Sequence, residues 1–279
     1  MIELMTKTQT STKDDINCSV IIFDCGNPYI LEKSSIQYVV DSVSGLKYSI
    51  LTYDSKITEL DNIKKGLDNS QYTLVLYSFN PLLTRDNIQL IIDYISLKNE
   101  KYIQLPYGAI FETDYIKDKN LIKEPLTFGG DSSQFLKIST PSEIGYATEV
   151  IKRRIIQQML NNGVDIISPE NVVINAFVKI EPKVTIYPFN TLRGDTYIGG
   201  GTILKENNNI VDSTIGNNCV VASSNVKESS IGEDCIIFPY NTINKCHIGK
   251  SCTIKSHNNL TFSKIGNNVT IDSFNNIGE

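Results

Sequence analysis

"IGNNCVVASSNVKESSIGEDCIIFPYNTINKCHIGKSCTIKSHNNL", residues 215–260, has neither the apolar stripe of a helix nor the strict alternation of a half-buried strand. Its branched apolar residues instead recur at steps of five or six: Ile215, Val221, Val226, Ile231, Ile237, Ile243, Ile248, Ile254 and Leu260. The same rhythm runs upstream through Ile174, Ile180, Ile186, Leu192, Ile198, Leu204 and Ile210, and downstream through Ile265, Ile271 and Ile277. A sustained hexapeptide period is the signature of a parallel β-helix. Three hexads make one turn, 16–18 residues in this chain.

Two further columns test the register. Four residues after the first apolar residue of each coil stand Val184, Thr202, Cys219, Cys235, Cys252 and Val269. Four after the second stand Asn190, Asn208, Asn225, Asn241, Asn258 and Asn275, which predicts an asparagine ladder along one corner. Stacked rungs lie about 4.8 Å apart, close enough for side-chain amides to bond the rungs above and below. The three cysteines of the first column are read as small packing residues, since Val or Thr fills the same slot elsewhere. His247 and His257 are read as solvent-facing turn residues with no acid, Ser or Cys pattern around them. Ile203, Val220 and Ile236 each precede an inward residue, so they form an outward apolar stripe of the kind that marks an interface.

Residues 18–140 follow a different grammar. Cys18–Phe23 (CSVIIF) and Tyr72–Tyr77 are continuous apolar runs, as in strands buried on both faces. Helical patterns at 34–43, 60–67 and 86–96 alternate with them, so a mostly parallel sheet flanked by helices is expected. Thr140-Pro141-Ser142-Glu143 is a capping box with Pro at the first helical position. Ile144, Ala147, Ile151, Ile155 and Met159 mark the apolar face of the helix it opens, and Gly163 suits its C-terminus. The chain thus reads as a polar, mobile N-terminus (1–17), an α/β domain (18–140), a connector helix (141–163) and a β-helix (164–279).

The bulk numbers are neutral to this reading but close other routes. A formal charge of −5 disfavours a nucleic-acid partner. No apolar run approaches the ~20 residues of a membrane span, and the polar start has no signal-peptide core. Six cysteines without a C-x-x-C pair suit a reduced, cytoplasmic protein.

Several stretches resemble one family. "RRIIQQMLNNGVDIISPENVVI" (153–174), "VTIYPFNTLRGDTYIG" (184–199) and "IVDSTIG" (210–216) are similar to the connector and first coils of the bifunctional N-acetylglucosamine-1-phosphate uridyltransferase/glucosamine-1-phosphate acetyltransferases. "LVLYSFNPLLT" (74–84) and "FLKISTPSEIGYATEVIKRR" (135–154) resemble its strand end and domain junction. The resemblance implies a nucleotidyltransferase-like (Rossmann-like) α/β domain followed by a left-handed β-helix that assembles as a homotrimer.

It also implies where chemistry would sit. Members of the family cradle nucleotide phosphates with a Gly-rich loop; the matching stretch, "VIIFDCGNPYILEKSS" (20–35), is shorter and retains Gly26 and Lys33. A family Gly-Asp that binds Mg²⁺ falls on Ser78 and Phe79, and the second metal-binding Asn falls on Ser139. Phosphoryl transfer rests on positioning and charge neutralisation, so these replacements lead us to expect no bound metal, no cofactor and no uridyl transfer, with Phe79 packed into the vacated space. The chain stops at Glu279 without the later coils of the family's acetyltransferase centre, and neither histidine matches its motif. The expected protein is a pseudoenzyme that binds a sugar nucleotide or a protein. The alternatives are an active Mg²⁺-dependent nucleotidyltransferase with relocated ligands drawn from Asp24, Asp86 and Glu112, or a hexapeptide-repeat acyltransferase using His247 or His257.

Overall fold

In a computed structural model of the chain, the apolar runs of the N-terminal half are adjacent strands of one sheet. The structure describes residues 17–26, 28–117, 125–130 and 132–278. Except for Asn17, the N-terminal stretch expected to be mobile lies outside them, as does Glu279. Two compact units emerge: one runs to Pro28 and resumes over Ser34–Glu143, the other holds Tyr29–Lys33 and the chain from Ile144 onward.

In chain order the elements are β1 (Cys18–Asp24), β2 (Tyr29–Ile30), β3 (Lys33–Ser34), α1 (Ser35–Ser42), β4 (Lys47–Thr52) and α2 (Glu59–Lys64). There follow β5 (Tyr72–Tyr77), α3 (Arg85–Lys98), β6 (Tyr102–Gln104), β7 (Ala109–Glu112), α4 (Thr113–Lys117), β8 (Leu126–Thr127) and α5 (Pro141–Asn161). The sheet order is β4-β1-β5-β7-β6-β8. Strands β4, β1 and β5 are parallel, whereas β7 runs antiparallel to both β5 and β6. Val20, Ile22, Leu74 and Leu76 pack on one face with Val39, Val43, Ile88, Ile91 and Ile95. Ile21, Phe23 and Val75 pack on the other with Ile63, Phe111 and Ile116. Burial on both faces is why β1 and β5 carry runs of consecutive apolar residues, Val20–Phe23 and Leu74–Leu76, instead of alternating. Helix α3 starts at a capping box, with Thr84 and Asn87 bonding each other's backbone N–H, and ends at left-handed Asn99.

The second unit is a β-solenoid of about seven turns. Its strands, two or three residues long, stack into three parallel sheets of seven, six and seven strands. One sheet runs from Val173–Ile174 to Asn276–Ile277, the next from Lys179–Ile180 to Lys264–Ile265, and the third from Asp165–Ile166 to Thr270–Ile271. The hexad residues point inward: Ile186, Leu192, Ile198, Leu204, Ile210, Ile215, Val221 and Val226 are completely buried. Each contributes about 1.5–3 kcal/mol of burial. Helix α5 covers the start of this core through Ile155, Ile156, Met159 and Leu160. Ile156 is the buried member of that pair and Ile155 is half-buried. Gly163, at φ +84°, turns the chain into the first coil.

Most corners are built on a residue with positive φ followed by an inward Asn, Ser, Cys or Val. Asn190, Asn208, Asn241 and Asn258 are buried, and each amide donates to the carbonyl three residues earlier, at Tyr187, Lys205, Phe238 and Lys255. Their Oδ1 atoms accept from the next coil: Asn208 N at 3.2 Å, Ser224 N at 2.9 Å, Asn258 N at 2.8 Å and Asn275 N at 2.7 Å, respectively. Asn225 departs from the expected ladder. Ser224 takes the inward place and Asn225 is exposed, bonded through its Oδ1 to the Asn209 amide. The coil from Asn208 to Ser224 has 16 residues instead of 17 or 18, so the register advances by one and a short Ser fills the tighter corner.

Candidate functional site

At the C-terminal ends of β1 and β5 three of the expected positions meet. Ser78 is buried; its Oγ accepts the N–H of Cys25 at 2.9 Å and donates to the Gly26 carbonyl at 3.0 Å. Its own N–H donates to Phe23 O at 2.9 Å, which continues the β1–β5 ladder one step past the strand. Ser78 therefore ties down the loop that follows β1. Gly26 has φ +108°, and its N–H donates to Asp24 Oδ1 at 3.2 Å.

Phe79 is not core packing. It is half-buried, stacked on Tyr77 at 5.0 Å and 6°, met edge-on by Tyr107 at 5.5 Å, with the Lys137 ammonium 5.2 Å above its ring. Tyr77, in turn, donates to Glu59 Oε1. Burial and then that carboxylate push the Tyr77 phenol well up. The result is an aromatic shelf with one ammonium at its edge. Burial and the Asp24 carboxylate raise the exposed Cys25 thiol, and Lys137 opposes them. Next in sequence, Asn80 is buried and donates to the carbonyls of Phe135 and Leu136, while its Oδ1 has no hydrogen-bond partner among the described residues.

Ser139 sits in the α5 cap. Its N–H and hydroxyl both bond Glu143 Oε2, at 2.8 and 3.0 Å, and the Thr140 N–H adds a third bond at 2.8 Å. These bonds, led by that from the Ser139 N–H, hold the Glu143 carboxyl at about 2. Lys33 is not part of the shelf; it groups with the solenoid unit, where neighbouring Glu32 accepts the Gly194 N–H at 2.7 Å. Of the acids that could replace lost metal ligands, Glu112 lies beside Tyr72, at the opposite end of β5 from Ser78, and is paired with Lys101 at 3.8 Å. Asp24 caps its own loop, and Asp86 lies in the first turn of α3. Among the described residues no group of three His, Cys, Asp or Glu side chains is placed to hold a metal ion.

The solenoid carries a second feature that sequence reading missed. Ser230 Oγ and His247 Nδ1 share a 2.6 Å hydrogen bond on the outer face, correcting the expectation that no serine pattern surrounds that histidine. The pair lies in a groove of about 580 Å³ whose walls include Glu228, Lys245, Phe262 and Lys264. The signal was present as the coil length: Ser230 precedes His247 by 17 residues, one full turn, on the same outward column. His257 is an exposed corner residue as expected, though not isolated, since its ring stacks between Tyr240 and Phe274 at 5.0 and 4.9 Å.

The cysteine column is structural. The thiols of Cys219, Cys235 and Cys252 donate to Gly232, Gly249 and Gly266 carbonyls at 3.0–3.1 Å, as the Thr202 hydroxyl does to Gly216. In a third inward column the N–H groups of Ser213, Ser229 and Cys246 donate to the hydroxyls of Thr196, Ser213 and Ser229 on the preceding coil. No helix among the described residues is long and apolar enough to cross a membrane.

Residues 202–279 match the family model for the GlmU-like C-terminal hexapeptide. "Bifunctional protein GlmU" of Clostridium acetobutylicum is 28% identical over 222 residues, 74% of this chain and 48% of that protein. Its counterpart in Clostridium beijerinckii is 32% identical over 205 residues, 71% of this chain and 43% of that protein. The chain thus spans about half the length of the curated relatives it matches. Among solved structures, the acetyltransferase domain of PglB from Neisseria gonorrhoeae aligns over 94% of both chains at 13% identity, with a TM-score of 0.23. At that score the superposition carries no argument, and the fold rests on the coil register itself. The chain is a GlmU-related protein with a solenoid of the hexapeptide type.

Proposed function

We propose that the N-terminal unit of this GlmU-related chain binds a sugar nucleotide without transferring its nucleotidyl group, and that the chain assembles as a homotrimer through its solenoid. The observation that carries the first half is the bridge from Ser78 Oγ to Cys25 N and Gly26 O, with Phe79 stacked beside it. Where the family resemblance calls for a Gly-Asp whose carboxylate gathers Mg²⁺ at the end of β5, this chain places Ser78, its hydroxyl committed to two backbone groups, and then the Phe79 ring at the carboxylate's position. Without charge neutralisation at that point, phosphoryl transfer loses its main source of rate. What remains suits binding: half-exposed ring faces at Phe79 and Tyr107 for a base, and the Lys137 ammonium for a phosphate.

The trimer reading rests on the outward column Ile203, Val220 and Ile236, aligned rung by rung. Ile236 is 42% exposed in the single chain, and Phe238 on the same coil 44%. A contiguous outward apolar strip costs solvation unless another surface covers it.

A thermal-shift series with UTP and UDP-N-acetylglucosamine, with and without Mg²⁺, tests the binding half. A ligand that binds only the folded state raises stability by RT ln(1 + [L]/Kd), and the expected result is a rise that does not need Mg²⁺. A parallel assay for pyrophosphate release is expected to stay at background. Mg²⁺-dependent turnover at about 1 s⁻¹, the low end of ordinary enzymes, would overturn the reading of binding without nucleotidyl transfer.

A further inference from the structure

We propose that Ser230 is an acyl-accepting nucleophile, with His247 as its base, and that the solenoid groove takes short-chain acyl esters. This is separate from the reading of the N-terminal unit, and uses none of its residues.

Three observations carry it. First, the two side chains meet at 2.6 Å although they come from different coils, so the bond is made by the solenoid and not by a local turn. Second, both lie on the outer face: His247 is exposed and Ser230 half-buried, and they line the groove of about 580 Å³. An exposed hydrogen bond of this kind adds little to stability, and neither side chain packs into the core. Third, the flanking rungs of the same column hold Thr214 next to Ser230 and Lys264 next to His247. All four side chains line the groove. Rungs about 4.8 Å apart bring the Lys264 ammonium within reach of an anion that forms at Ser230. Lys245, by contrast, is engaged by Glu228 at 3.6 Å and by the Phe262 ring.

A hydroxyl is a weak nucleophile until an adjacent base takes its proton. With the ring proton on Nε2, His247 Nδ1 accepts from Ser230. As Oγ bonds to the ester carbonyl carbon, its proton passes to Nδ1. The carbonyl oxygen becomes an oxyanion that faces the Lys264 charge. The C–O bond to the leaving alcohol then breaks, the alcohol takes the proton from Nδ1, and an acyl ester remains on Ser230. Water, deprotonated by the same nitrogen, attacks that ester; it releases a carboxylic acid and restores the serine. Water is the only co-reactant.

The full chain mixed with p-nitrophenyl acetate is expected to give a burst of one p-nitrophenolate per chain, with an acetyl group on the peptide that contains Ser230. Ser230→Ala should abolish the burst. His247→Gln keeps a side chain able to hydrogen-bond Ser230 but cannot take the proton, and should slow acylation about 100-fold, within the range for general-base catalysis. Circular dichroism of both variants should match the parent, because the residues lie outside the coil. An acetyl group confined to Cys25 or lysines, a burst undiminished by Ser230→Ala, or an acylation rate unchanged in His247→Gln overturns the proposal.

Discussion

The backbone N–H of Asn241 donates to the hydroxyl of Ser224 at 3.2 Å, in the place where every neighbouring coil uses an asparagine amide. The ladder therefore depends on position and not on residue type. Asn241→Ala removes the acceptor of the Asn258 N–H, which is buried, and the donor to Phe238 O, which is partly buried. Such losses cost about 1–3 kcal/mol each, so urea unfolding should show a drop of about 2 kcal/mol or more. Asn225→Ala, on the exposed face, should stay within about 0.5 kcal/mol. The reverse order would contradict the assigned register.

Gly232 should tolerate no side chain. A Cβ there would lie 2.8–2.9 Å from the backbone of Gly249 and Lys250 on the next coil, and backbone cannot swing aside as a side chain can. Gly232→Ala is expected to destabilise by about 1–3 kcal/mol, the range for overpacking, and to lower the melting temperature. Gly145→Ala, which meets nothing within 4 Å in the exposed part of α5, should be neutral or slightly stabilising.

All six cysteines should titrate as thiols in denaturant without reductant. Five are buried, and the in-register column makes parallel bonds to carbonyls instead of facing pairs. Cys235→Val should cost less than about 1.5 kcal/mol, since Val184 occupies the equivalent slot. Fewer than six reactive thiols would show that a pair had oxidised.

Acid should weaken the N-terminal unit through Asp68. Burial opposes its charge, but a salt bridge from Lys47 at 2.7 Å and bonds from Ser70 N–H and Ser19 Oγ at 2.8 and 3.0 Å outweigh it and hold the carboxyl well below its usual range. A depressed carboxylate stabilises the fold above its unfolded value and loses that contribution as pH falls toward the folded one. Asp68→Asn should therefore melt lower at pH 7, and its gap from the parent should shrink between about pH 5 and pH 2. A gap constant with pH would assign the effect to packing.

Ile236→Lys should dissociate the proposed trimer while leaving the β-sheet signal intact, because the side chain is on the outer face. Light scattering reads the mass directly. A parent protein whose mass stays at one chain across concentrations removes the trimer, and a variant that keeps the assembled mass moves the interface elsewhere.

The solenoid was legible because its order is local. A hexad of Ile, Val and Leu repeats within each turn, and the inward residue is chosen by burial alone, so Ile186, Leu204, Val221 and Ile237 could be placed on one sheet from spacing. The α5 start was equally plain: Thr140 and Glu143 bond each other's backbone within four residues. The antiparallel direction of β7 was not legible, since a short apolar run reads the same in either direction.

The set of elements is written in local pattern: a doubly covered α/β sheet, a capped helix, and parallel coils turned at small-residue corners. Each follows from periodicity and from caps that close within a few residues. Which side chains meet is set by the assembled fold. One residue lost from a coil moved Asn225 outward and drew Ser224 into the ladder. One full turn of solenoid brought Ser230 onto His247. The convergence of Ser78 with Cys25 and Gly26, rather than a vacated core, left Phe79 stacked at the surface. Such meetings depend on the summed length and twist of every rung between the partners, and no single stretch of sequence carries that sum.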